Sequence, residues 1–193
     1  MKNVLFLFFL GSSLLILNGC DKDTSSPSQN NDPCESIVCY NGGYCVNGEC
    51  LCPEGYTGPD CSQQVTPTKI RITKIEVTDF PATDENGAGW DLISGADIYP
   101  VILKGSDVVW TSSRYFEDAS PSSSYSFTNG LPFDVTSPQD RYSIVLYDFD
   151  TIDADDFMGG ITFTPYSNTN GFPSTRNLSV GDFSLKLYLN YVW

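Results

Sequence analysis

The stretch Leu146 to Gly160, LYDFDTIDADDFMGG, decides how the second half of the chain is read. It places Asp148, Asp150, Asp153, Asp155 and Asp156 within nine residues. Strand-like runs flank it, RYSIVLY before and GITFTP after, so the acids sit on a loop between two strands. Unit charges ~4 Å apart repel by ~4 kcal/mol at an effective dielectric near 20. A cup of converging carboxylates therefore calls for a cation. Oxygen-rich loops suit calcium, which takes six to eight oxygen ligands in flexible geometry. An EF-hand is excluded by register: counting from Asp148, the sixth position is Asp153 instead of glycine and the twelfth is Gly159 instead of glutamate.

Outward from that loop, residues 69–193 alternate β-branched and aromatic runs with Gly, Pro, Ser and Asp clusters. Examples are KIRITKIEV, IYPVIL and DVVWTS. In the last run Phe183, Leu185, Leu187, Leu189 and Tyr191 point one way and Ser184, Lys186 and Asn190 the other. No helical stripe of useful length appears. An antiparallel β-sandwich is the expected solution.

The aspartate loop, with Phe157-Met158-Gly159 after it, resembles the third calcium-binding loop of C2 domains. That family's first loop carries two acids six residues apart before a strand. Asp91 and Asp97 match this spacing ahead of Ile98-Tyr99-Pro100-Val101. The resemblance implies an eight-stranded C2-like sandwich with calcium ligands Asp91, Asp97, Asp148, Asp150 and Asp156. Asp84 is a second candidate for the place of Asp91. Asp153 and Asp155 have no counterpart and read as solvated rim charge. Leu92, Ile93 and Ile152 fall at the tips of the two loops, where family members insert apolar side chains into membranes or ligands. One strand precedes the first loop and two follow the last, as in the phospholipase-type topology.

Seven cysteines divide into Cys20 and a cluster of six from Cys34 to Cys61, spaced C-x4-C-x5-C-x4-C-x-C-x8-C. So small a segment buries too little apolar surface to fold unaided, and cross-links worth ~2–4 kcal/mol each must hold it. Spacing alone leaves the pairing open. No C-x-x-C pair favours zinc. The closing CLCPEGYTGPDC resembles an EGF-like domain over residues 34–61, which implies the pairs Cys34–Cys45, Cys39–Cys50 and Cys52–Cys61. Pro33, where calcium-binding members carry an acid or amide, and the short gap from Cys45 to Cys50 point to a module without its own metal.

The N-terminus reads as a secretory signal over residues 1–20, with Lys2, an apolar run from Val4 to Leu17, and Leu17-Asn18-Gly19-Cys20 resembling a bacterial lipobox. Cys20 would then carry the lipid anchor, followed by a polar tether over residues 21–33 and, beyond the cysteine cluster, a linker over residues 62–68. The expected location is the bacterial cell envelope, on an outer membrane or cell surface. Disulfide chemistry agrees with an oxidising compartment.

Ten Lys and Arg against 24 Asp and Glu give a formal charge of −14, which excludes nucleic acid as a main partner. With no histidine in the chain, His-based catalysis and His-ligated zinc are excluded. A carboxylate hydrolase needs one protonated and one ionised acid across a cleft, and converging loop acids do not offer that. The expectation is a non-enzymatic calcium-binding adhesion module that contacts a protein, glycan or anionic membrane. The alternative is a spacer that calcium merely staples.

Overall fold

The computed structural model describes residues 32–91, 94–152 and 154–193; the signal segment, Cys20 and nearly all of the tether lie outside them. The described residues are all β, without a helix.

In the first module two small hairpins are cross-linked by three disulfides. Strand β1 (Tyr44–Val46) pairs with β2 (Glu49–Leu51), and β3 (Tyr56–Thr57) with β4 (Gln63–Gln64). The bridges are Cys34–Cys45, Cys39–Cys50 and Cys52–Cys61, the pairing that the EGF-like resemblance implies. The connection after Cys61 is itself structured, since β4 falls within it.

The second module stacks two five-stranded antiparallel sheets. One follows the order β10 (Phe133–Val135), β5 (Lys69–Asp79), β14 (Phe183–Val192), β13 (Thr175–Val180), with β9 (Tyr125–Phe127) also on β5. The other follows β12 (Asp156–Phe163), β11 (Tyr142–Asp148), β6 (Ala96–Lys104), β7 (Asp107–Thr111), with β8 (Phe116–Ala119) also on β6. One strand precedes the first acidic loop and two follow the last, in keeping with the expected topology.

The alternation of β5 breaks between Ile72 and Ile75, yet Ile70, Ile72, Ile75 and Val77 are all buried. The ladder explains this: Tyr188 pairs with Lys74 and Leu189 with Ile72, leaving Thr73 as an extra residue. That β-bulge returns both apolar pairs, Ile70/Ile72 and Ile75/Val77, to the core. From β14, Leu185, Leu187 and Leu189 face the same core, and Ile98, Ile102, Ile144 and Leu146 meet them from the opposite sheet. Tyr191 is only partly buried, because its hydroxyl reaches the carbonyl of Pro173 at 3.1 Å.

The β5–β14 ladder also sets the molecule's polarity. Lys69 pairs with Val192 at one end and Asp79 with Ser184 at the other. The EGF-like module joins at the Lys69 end, while the loops 80–95 and 149–155 leave from the opposite end. Eleven residues at ~3.3 Å each separate the two by roughly 30–35 Å.

At the junction the ring of Phe172 lies 5.3 Å from Tyr56 and 5.0 Å from Trp193, both edge-on. Trp193 donates its indole N–H to the carbonyl of Val65 at 3.3 Å, and Val65 donates to Gly55 at 2.8 Å. Gly55 has φ +86°, and a Cβ there would stand 2.5 Å from the Trp193 ring. Gly42 has a similar φ of +84° with open space around it. Both Gly→Ala changes cost backbone strain of order 1–3 kcal/mol. Only Gly55→Ala also disrupts the junction. It should lower the melting temperature more than Gly42→Ala and red-shift tryptophan emission; equal losses and unshifted emission would argue against this packing.

Candidate metal centre

Asp148 ends β11, on the side of the sheet that faces the core, and it is wholly buried. Its Oδ1 accepts the backbone N–H of Asp97 on β6. Its Oδ2 is buried and has no hydrogen-bond partner among the described residues. A buried carboxylate oxygen in that state carries the full cost of lost hydration. Burial pushes the Asp148 carboxyl up to about 6, against the Asp97 N–H, which favours the charged form; the charges of Asp91, Asp150 and Asp97 add to the rise. The charges of three other expected ligands thus act on Asp148.

The same network ties three loops together. The Asp97 carboxylate accepts the N–H of Asp118 at 2.9 Å, and the Asp118 carboxylate accepts the N–H of Gly95 at 3.2 Å. The N–H of Phe149 donates to the Asp97 carbonyl at 2.9 Å, and the Phe149 ring stacks on Tyr115 at 4.6 Å. Asp118 was not legible as a site residue in the sequence. Its signal is conformational: it is an aspartate at φ +52°, a region that few residues other than glycine and Asn/Asp occupy.

Asp156 pairs with Asp148 in the β11–β12 ladder but is exposed, on the wall of a neighbouring groove. Asp84 is committed to its own loop. It accepts the N–H groups of Asn86 at 2.9 Å and Ala88 at 2.7 Å, and these bonds hold its carboxyl below the usual range despite the opposing effect of burial. Of the two candidates for the first-loop acid, it is Asp91 whose charge acts on Asp148; its Oδ2 accepts the Ser94 hydroxyl at 3.0 Å.

Asp155 differs from the expectation of solvated rim charge. It accepts the Tyr99 hydroxyl, and the N–H of Asp150 at 3.1 Å, so it orders the third loop from beneath. Burial, followed by this bond, pushes the Tyr99 hydroxyl well above the usual tyrosine range. The expected tips Leu92 and Ile93, and Asp153, lie outside the described residues; Ile152 is 96% exposed.

Among the described residues, no group of three acids is close enough to hold one metal ion. The donor chemistry nevertheless fits a hard cation: oxygen ligands only, clustered negative charge, and one buried carboxylate oxygen lacking any partner. Such an ion would draw on Asp148 first, then Asp91, Asp97 and Asp150, with Asp156 at the edge.

Comparison with known proteins bears on the two modules separately. The EGF-like domain family matches residues 34–61. Mouse lactadherin is 49% identical over 37 residues, covering 17% of this chain and 8% of its own length. Human neurogenic locus notch homolog protein 1 is 48% identical over 52 residues, covering 24% and 2%. The chain thus spans under a tenth of the length of these relatives. Among solved structures, one described as a C2 domain is 17% identical and covers 64% of this chain and 96% of its own, with a TM-score of 0.45. A C2 domain of a plant extended synaptotagmin 1 is 14% identical and covers 66% and 97%, with a TM-score of 0.40. Human GIVD cytosolic phospholipase A2 is 14% identical and covers 64% and 16%, with a TM-score of 0.38. Residues 34–61 match the EGF-like domain family, and an antiparallel two-sheet β-sandwich follows them.

The Asp148 carboxyl yields a signed expectation for the metal-free protein. Its folded value lies above the ~3.9 of an unfolded aspartate. The stability it contributes is therefore full below that value and is lost as pH rises through about 6. In chelator, Asp148→Asn should melt higher than the parent at pH 8, with the gap closing toward pH 4. A gap that stays constant with pH would show that Asp148 is not the strained group.

Proposed function

We propose that this chain is a non-catalytic, extracytoplasmic binding module in which calcium, held by two C2-type loops, mediates contact with a ligand. Asp91, Asp97, Asp148, Asp150 and Asp156 would hold the ion, and bound calcium would offset the charge of the buried Asp148 carboxylate. The observation that carries this reading is Asp148: a buried carboxylate with one unpartnered oxygen and three like charges around it.

The architecture supports presentation. Cys20 would carry a lipid anchor at the bacterial cell envelope, with the EGF-like module as a spacer. The loops then stand at the pole of the sandwich remote from that spacer. EGF-like modules and the relatives named above favour a cell-surface setting. The ligand is a protein, a glycan or an anionic membrane surface. In the sandwich, eight Lys and Arg stand against seventeen Asp and Glu, which disfavours polyphosphoinositides.

A second reading has its own observation. The hydrogen bonds from Asp148 through Asp97 and Asp118 already join three loops, so an ion there could simply stiffen a spacer. Extracellular calcium modules bind with Kd ~10⁻⁴–10⁻³ M. At tenfold excess over Kd the stabilisation is about 1.4 kcal/mol.

Calorimetric titration of the protein with calcium tests both, beside Asp148→Asn combined with Asp150→Asn. The expected result is sub-millimolar to millimolar binding that disappears in the double variant, with a higher melting temperature for the calcium-loaded parent. Calcium-dependent adhesion to vesicles, glycans or surface proteins supports the first reading; stiffening without any adhesion supports the second. Neither heat nor a change in melting temperature at millimolar calcium would remove both.

A further inference from the structure

Beside the calcium loops, the first loop, the start of β12 and the turn from β13 to β14 enclose a groove of about 830 Å³. Its walls carry four carboxylates, Asp84, Glu85, Asp156 and Asp182, and two aromatic rings, Trp90 and Phe157, with no Lys or Arg. Trp90 is pinned by its N–H bond to the Pro81 carbonyl at 2.7 Å. Phe157 meets Tyr147 edge-on at 6.1 Å, yet remains 60% exposed. A phenylalanine held open to solvent beside so many carboxylates is costly on both counts.

Elsewhere the sandwich supplies its own cations. Lys69 and Arg71 pair with Asp134, Lys74 with Glu76 and Lys104 with Asp140. Arg114 lies over Phe116, Arg176 over Phe163 and Lys186 over Tyr188. Arg141 lines a separate groove beyond the far end of β12. All eight Lys and Arg of the sandwich are thus placed away from this groove, where the same partners, carboxylates and rings, stand together without one.

We propose that the groove receives a lysine or arginine side chain from a basic segment of a partner protein. The cationic head would sit among the carboxylates, while its aliphatic stem or guanidinium face lies on Phe157 and Trp90. Complementary charge would steer the encounter and make it salt-sensitive. A neutral sugar would leave the carboxylates uncompensated, and an anionic membrane would be repelled by them. Asp156, and Asp84 as the second candidate for the first-loop acid, are shared with the metal centre, whereas Glu85 and Asp182 belong to the groove alone.

The test is calorimetric titration of the protein with a tetralysine peptide in chelator at low salt, so that the calcium reading can fail without affecting the outcome. Glu85→Gln combined with Asp182→Asn should weaken binding at least tenfold, and Phe157→Ala about threefold. Asp107→Asn combined with Glu49→Gln removes the same charge at exposed positions far from the groove and should leave binding unchanged. If Phe157→Ala fails to fold, the Glu85/Asp182 variant still decides. Equal weakening in the distant pair would reduce the effect to diffuse charge and overturn the site. No tetralysine binding would overturn it too, as would tighter binding of a neutral tetrasaccharide or of phosphatidylserine vesicles.

Discussion

The bond from the Asp97 N–H to the Asp148 carboxylate is the contact on which the acidic pole depends. It joins the start of β6 to the end of β11, and the Asp97 carboxylate extends the link to β8 through Asp118. Only one oxygen of Asp148 is satisfied by it. The other stays buried without a donor among the described residues, an arrangement that costs more than a solvated aspartate at the same turn. A fold keeps such a group when something else compensates for it, and among biological cations calcium has the matching ligand preference.

The rest of the sandwich makes that burial possible. Long β5 and β14 supply a deep apolar face, and bulges opposite Tyr188 and Ser184 keep its side chains in register with the core. A further shift between Leu146 and Tyr147 lets β11 and β12 continue to Asp148 and Asp156, past the buried Met158. The acids are thereby carried to the end of two paired strands instead of hanging in a free loop. At the opposite pole, Phe172 packs edge-on against both Tyr56 and Trp193, so the EGF-like domain meets the sandwich through a defined aromatic contact. Spacer and loops therefore stand at opposite ends of one continuous ladder.

Much of this was legible in the sequence because it rests on short-range pattern. Cysteine spacing marks the EGF-like domain, and alternation marks β14. Two aspartate loops at matched spacing mark the acidic pole. What escaped is what tertiary context decides. Strands β8, β9 and β10 hold three or four residues each, with charged or polar members such as Glu117, Asp118, Ser126 and Asp134, too little for a period to show. Gln63 and Gln64 have no strand preference and pair only because Tyr56 and Thr57 lie alongside. Only the first residue of β12 reads as loop, because Asp156 looks like the end of an acidic turn. Asp155 resembles its neighbours in sequence, and only the position of Tyr99 beneath the loop reveals its structural part. Asp84 and Asp91 likewise differ only in tertiary context: backbone N–H groups of its own loop hold Asp84, while the charge of Asp91 acts on Asp148.

The most direct measurement is a crystal structure of the protein grown in saturating calcium. The account predicts an ion at the acidic pole with Asp148 Oδ2 as a direct ligand, at the ~2.3–2.6 Å of calcium–oxygen bonds, and the carboxylates of Asp91, Asp97 and Asp150 turned toward it. A structure in which Asp148 Oδ2 remains without a ligand, whether no ion is bound or one is held elsewhere, would contradict it.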